Sequence, residues 1–167
     1  MHGQKKPRQS RSLKNPIYAA ILSATLLTSA EIEETMRPIR QCQAAIENGK
    51  ASPLQLSVIE TSLSIAKAVE RSRIIRGLDE ILQAGDAALL SLRHRSCESG
   101  DWRPATPTAD ELDAIKTAIN MHHFQLRHVS AGEFRRIIER LKAQAGGVLR
   151  ITEEEWGIEQ MRAACNT

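Results

Sequence analysis

Aromatic residues are almost missing from this chain. Two Trp, one Tyr and two Phe among 167 residues amount to 3%. That is too few for the ring-rich strands of a β-sandwich, and too few for a stacking platform that reads single-stranded nucleic acid. A core of any size must be aliphatic, built from Leu, Ile, Val, Ala and Met, which suits helices. Cysteine is scarce too. Cys42, Cys97 and Cys165 are odd in number and form no C-x-x-C pair, which points to free thiols in a reducing, cytoplasmic setting rather than to a disulfide framework. No apolar run approaches the ~20 residues of a membrane span, so no membrane association is expected. Gly-rich phosphate loops, G-x-S-x-G elbows, H-E-x-x-H and carboxylates at ligand spacing are all missing. No enzymatic activity, catalytic residue, metal or cofactor is expected.

Charge is present but unevenly placed. Lys5, Lys6, Arg8, Arg11 and Lys14 give the first 14 residues +5, with no acid before Glu31, so a total of +3 leaves −2 for everything after residue 14. The domain reading is a basic flexible tail over 1–14 and one helical domain over 15–167. Basic residues followed by "IYAAILSATLLTSA" imitate a secretory signal. Ser23 and Thr25 dilute that apolar run, and a first helix over 16–27 is the preferred reading.

Helix starts are the clearest organising signal. In a capping box, a Ser or Thr accepts a bond from the third helical N–H, and a Glu or Gln there reaches back to the cap. The chain offers Thr28 with Glu31, Ser52 with Gln55, Thr108 with Glu111, Ser130 with Glu133 and Thr152 with Glu155. Apolar residues recur at helical spacing after each. The predicted helices are 16–27, 30–47, 53–75, 78–97, 109–128, 131–145 and a short 153–164. Pro38 should bend or shorten the second, and whether 53–97 is broken near Gly77 stays open. Leu78, Ile81, Leu82, Leu89 and Leu92 stripe one helix, and Phe134, Ile137, Ile138 and Leu141 another. The expected fold is all-α: a compact single-domain bundle of about six helices plus a short C-terminal one.

The stretch "MHHFQLRHVSAGEF", residues 121–134, is the most suggestive chemically. Helical metal ligands need spacings of three or four so that their nitrogens converge. His122, His123 and His128 are spaced one and five apart, which fails that test. Instead His122 continues a seam of Leu112, Ile115, Ile119, Leu126 and Val129, so it reads as a buried packing residue. His128 falls in the last turn, where a cation suits the helix dipole. His94 and Cys97 are three apart but read as residues near a helix end.

The same stretch imitates a helix-turn-helix, with Val129-Ser130 ahead of paired arginines. Phe124 stands where a small residue lets the two helices approach, and His128 where glycine makes the turn. Among the basic clusters, Arg71, Arg73, Arg76, Arg93 and Arg95 lie near helix ends and complement dipoles. Arg135, Arg136, Arg140 and Lys142 are harder to explain that way, although Glu139 is spaced to pair with Arg135. With Lys5, Lys6, Arg8, Arg11 and Lys14 they form the candidate macromolecule-binding set.

Residues 105–147 resemble small helical proteins encoded in proteobacterial prophages and plasmids. The match is His122-His123-Phe124-Gln125-Leu126 followed by Ser130-Ala131-Gly132-Glu133-Phe134. The resemblance carries no settled activity and no functional residues. It implies an accessory gene product of a mobile element, of a kind that often binds and blocks host complexes. The expected function is a non-enzymatic protein that contacts a protein or nucleoprotein complex of host or phage, inhibition of a defence complex being one form of it. The alternative is a nucleic-acid-binding accessory or regulatory protein using the basic tail and the helix 131–145. Homo-oligomerisation stays open.

Overall fold

A computed structural model of the chain describes residues 20, 21 and 23–145. Each of the four capping boxes in that range is formed. Glu31, Gln55, Glu111 and Glu133 donate their backbone N–H groups to the cap hydroxyls at 3.2–3.3 Å. Their side chains return a bond to the cap N–H of Thr28, Ser52, Thr108 and Ser130. The boxes open α1 (Ser29–Glu47), α2 (Pro53–Arg71), α4 (Ala109–Leu126) and α5 (Ala131–Gln144). The fifth box and the predicted helix 153–164 lie outside the described residues. So does most of 16–27, of which residues 20, 21, 23 and 24 are helical before the chain bends at Thr25.

The remaining helix, α3 (Asp79–Cys97), has Leu78 at its cap position and no side-chain cap of its own. The turn leading into it is held from α2. Glu70, near the end of α2, accepts the N–H groups of Gly77 and Leu78, each at 2.8 Å. This settles the connection near Gly77: the helices are separate. The predicted 53–75 is too long, because α2 stops at Arg71, Ser72 closes it, and Arg73 turns to φ 63°. That left-handed conformation is incompatible with continuing the helix. Pro38 does not shorten α1, which runs unbroken through it. The ring is exposed, so the carbonyl that loses a donor there can be hydrated.

The helices α2, α3 and α4 run alternately up and down. Glu60 pairs with Arg93 and Lys67 with Asp86, so α2 and α3 are antiparallel. Arg95 pairs with Glu111 while Gly85 meets Ala118, so α3 and α4 are antiparallel too. α2 lies at the centre, in contact with α1, α3, α4 and α5. Its buried residues Leu56, Ile59, Leu63, Ala66 and Val69 recur every three or four positions, as a helix packed on several neighbours requires. The core they join is aliphatic, with Met36, Ile46, Leu82, Leu89, Leu92, Ile115, Ile119 and Leu126 fully enclosed. The fold class expected from composition is therefore found, with five helices and no strand among the described residues. None of those helices is long and apolar enough to cross a membrane.

The long connection 98–108 is tied down at several points. Trp102 Nε1–H donates to the Ala51 carbonyl at 3.2 Å, and the Ala105 N–H to Ser96 Oγ at 3.0 Å. Arg95 then grips both carboxylate oxygens of Glu111 at 2.6 Å, joining the end of α3 to the start of α4.

Candidate functional site

The histidine-bearing stretch forms the joint between α4 and α5. Ile115, Ile119, His122, Leu126 and Val129 are all buried, as the seam spacing requires. His122 is 1% exposed and faces Gln125, which is fully buried. Gln125 Nε2 donates to the Ala66 carbonyl at 3.0 Å, an arrangement that turns Oε1 toward His122 Nδ1, 3.5 Å away. An amide oxygen only accepts, so the imidazole proton sits on Nδ1. Nε2 is then a buried lone pair that no donor among the described residues reaches. Burial dominates the electrostatics. It pushes the His122 pKa from 6.5 down to about 4, against the opposing bond from Gln125 and with a small contribution from His123. The ring is neutral at pH 7. Gln125 was not legible as a core residue, because its partner Ala66 lies 59 positions away in sequence.

His128 lies just beyond α4, on its exposed side. Its ring nitrogen Nδ1 donates to the Phe124 carbonyl at 2.8 Å, and the ring packs on Phe124 at 4.3 Å between centroids. It therefore adds a second bond to a carbonyl of the helix end that already accepts the Arg127 N–H at 3.2 Å. Among the described residues, no group of three or more His, Cys, Asp and Glu is placed to hold a metal ion.

Beyond the joint, Ser130 and Glu133 open α5, and the glycine between them has a specific reason. A Cβ at Gly132 would lie 2.5 Å from the Ser23 carbonyl oxygen and 2.8 Å from its Cβ. The segment ahead of α1 crosses the start of α5 at this point. Leu26 bridges to Ser130, and the Ala131 N–H donates to the Thr25 carbonyl at 2.8 Å. The Ser-Ala-Gly-Glu run is thus a cap with a crossing site built into it. The helix-turn-helix reading does not survive, because α5 packs on α2 and makes no comparable contact along α4. Phe124, exposed and stacked on His128, occupies the position where such a motif needs a small residue.

α5 is strongly two-sided yet shallowly seated. Of its expected stripe, Ile137 is buried, while Phe134, Ile138 and Leu141 are only partly covered. The structure divides the arginines and the lysine proposed on this helix between two flanks. At 100° per residue, Arg135 and Lys142 fall on one side of the stripe and Arg136 and Arg140 on the other. Glu139 pairs with Lys142 at 3.2 Å, not with Arg135 as its spacing suggested. The tail residues Lys5, Lys6, Arg8, Arg11 and Lys14 lie outside the described residues.

Each flank borders a concavity. On the Arg135 side, Leu27, Phe134 and Ile138 floor an open groove of about 460 Å³ between α1 and α5, with Glu31, Glu34, Thr35 and Arg135 along it. The Glu31 carboxylate is held below its ordinary pKa, chiefly by its bonds from Thr28 and in part by the charge of Arg135. On the Arg140 side lies a smaller concavity of about 210 Å³ between the ends of α2 and α5. Sequence reasoning missed both, since each is assembled from helices that are distant in the chain. No protein-family model, curated protein or solved structure matches the chain.

Proposed function

We propose that the protein is a non-enzymatic binding protein that acts by protein–protein contact, with the α1/α5 groove as its docking surface. One observation carries this reading: α5 leaves much of its apolar stripe uncovered, and Phe134 and Ile138 line an open groove instead of a closed core. Grooves of this kind accept the apolar face of a partner helix. The occupant we infer is an amphipathic helix. It would place an aliphatic or aromatic side chain on Leu27, Phe134 and Ile138, and a basic group near Glu34. The resemblance of residues 105–147 to prophage and plasmid proteins supports a mobile-element origin. A host complex, including one that serves defence, is then the partner we propose.

The test is affinity capture from a host lysate with wild-type protein and with Phe134→Glu/Ile138→Glu, after circular dichroism shows that both are folded. A partner held by the wild type and lost by the variant supports the reading. Equal retention by both removes the groove from the account. Retention by neither overturns protein binding as the function.

A further inference from the structure

The smaller concavity has a different chemistry. Ala68, Ile137 and Leu141 form an aliphatic floor, and Arg71, Arg140 and Gln144 stand around it. The two arginines come from helices far apart in sequence and meet only in the folded chain. Arg71 Nε donates to the Lys67 carbonyl one turn back, at 3.2 Å. That bond restrains the side chain and leaves its terminal nitrogens available. Arg136, one turn before Arg140 on the same flank, is restrained alike by a 3.2 Å bond from Nε to the Gly132 carbonyl.

No described carboxylate forms an ion pair with Arg71, Arg73, Arg76, Arg136 or Arg140, and the same holds of Arg37, Arg103, Arg127 and Arg135. What sets Arg71 and Arg140 apart is that they line one concavity from two helices. Of the nearby acids in sequence, Glu139 pairs with Lys142 and Asp79 accepts a bond from Gln83. Glu70 Oε1 accepts the N–H groups of Gly77 and Leu78, while its Oε2 is buried with no partner among the described residues. Glu133 caps α5 and is stabilised in part by the charge of Arg136.

One effect opposes an anion here. The C-terminal ends of α2 and α5 both approach this concavity, and each carries about half a negative charge. Glu70, next to Arg71, adds a full negative charge, which with the two half charges offsets Arg71 and Arg140. The excess of positive charge comes from Arg136, one turn before Arg140, and from Arg73 and Arg76 in the connection after α2.

We propose that this concavity binds phosphate, and that the phosphate belongs to a nucleic-acid backbone. A planar guanidinium offers paired donors that match a phosphate's oxygens. A lone phosphate needs one such point. Here Arg136 and Arg140 stand about 6 Å apart along the helix axis, with Arg71 beside Arg140 at the concavity and Arg73 and Arg76 in the chain just after α2. Arg136 and Arg140 thus present charge along the helix axis with Arg71 at one end, a spacing suited to contact with successive phosphates. This site is separate from the α1/α5 groove and does not depend on it.

The experiment is fluorescence anisotropy on the full chain with a labelled DNA duplex and a labelled single strand, over a salt series starting near ~50 mM. Wild-type protein should bind at low salt. Arg71→Ala/Arg140→Ala should weaken binding by about tenfold or more and lower the salt slope by about two phosphate contacts. Arg135→Ala/Lys142→Ala, on the other flank, should leave the slope nearly unchanged. All four residues sit at the surface, and circular dichroism of each variant checks the fold. Inorganic phosphate, followed by the chemical shifts of the Arg71 and Arg140 side chains, separates the two sources. Phosphate binding without any nucleic-acid binding overturns the backbone assignment. An Arg71→Ala/Arg140→Ala variant with wild-type affinity and slope overturns the site.

Discussion

A buried histidine carries a pH dependence whose sign is set by its environment. Burial lowers the His122 pKa from 6.5 to about 4, so between those values the unfolded chain binds more protons than the folded one. Stability therefore falls as pH drops through this window, by about 3 kcal/mol in total. Urea unfolding at pH 7 and near pH 4 should show that loss in the wild type. His122→Leu should erase it. At pH 7 it removes one unpartnered buried acceptor, Nε2, but leaves another, Gln125 Oε1, each worth about 1–3 kcal/mol, so the two roughly cancel and stability there should change little. A variant that is several kcal/mol weaker at pH 7 would mean that the imidazole anchors the core. Glu111 adds a second limb. Arg95 holds its pKa down from 4.5 to about 2, so its contribution is present above 4.5 and is lost as pH falls toward 2. Glu111→Gln should flatten that lower limb while leaving the His122 window in place.

Between elements, small residues set how closely the helices approach. A Cβ at Gly85 would stand 2.6 Å from the Ala118 Cβ and 3.2 Å from Leu63 Cδ1. Alanine is better than glycine inside a helix by about 1 kcal/mol, but this contact is too short for a methyl without moving α3 off α4. Overpacking then dominates, and Gly85→Ala should lower stability by about 1–3 kcal/mol in denaturant unfolding. Ala118→Gly should recover part of the loss when combined with it, as residues in contact do. A rise in stability from Gly85→Ala alone would show that the interface yields. The helices themselves were legible in sequence because capping boxes are local: cap and third residue are three positions apart, and their bonds need no tertiary contact. The seam through His122 was legible for the same reason. Gly85 and Gly132 were not, since the atoms that exclude a side chain there belong to Ala118 and Ser23. The anchoring of the turn into α3 was equally opaque, because Glu70 holds the Gly77 and Leu78 N–H groups across a chain reversal.

Across the whole molecule, burial is distributed unequally. α2 buries eight residues, from Pro53 to Val69, while α5 buries only Gly132 and Ile137. Local opening follows buried contact, so α5 should exchange its amide hydrogens faster than α2 by on the order of a hundredfold. Hydrogen exchange with mass readout tests this, and equal protection of the two helices would place α5 inside the cooperative core. A shallowly seated helix bordered by two concavities is suited to engage partners on both flanks. The groove toward α1 is apolar and the concavity toward α2 is basic, and α5 supplies a wall to each.

By itself the sequence determined the fold class and most helix boundaries. Aliphatic composition, capping chemistry and 3.6-residue periodicity act within a few positions of each other, so they can be read without coordinates. It also showed that His122 belongs in a seam and that the arginines of 131–145 need an explanation. Only the tertiary structure decided which residues those arginines join. The helix angle separates Arg135 from Arg140, and packing of α5 on α2 brings Arg140 to Arg71. That juxtaposition spans 69 positions of chain and depends on the path through α3 and α4, which no local pattern encodes.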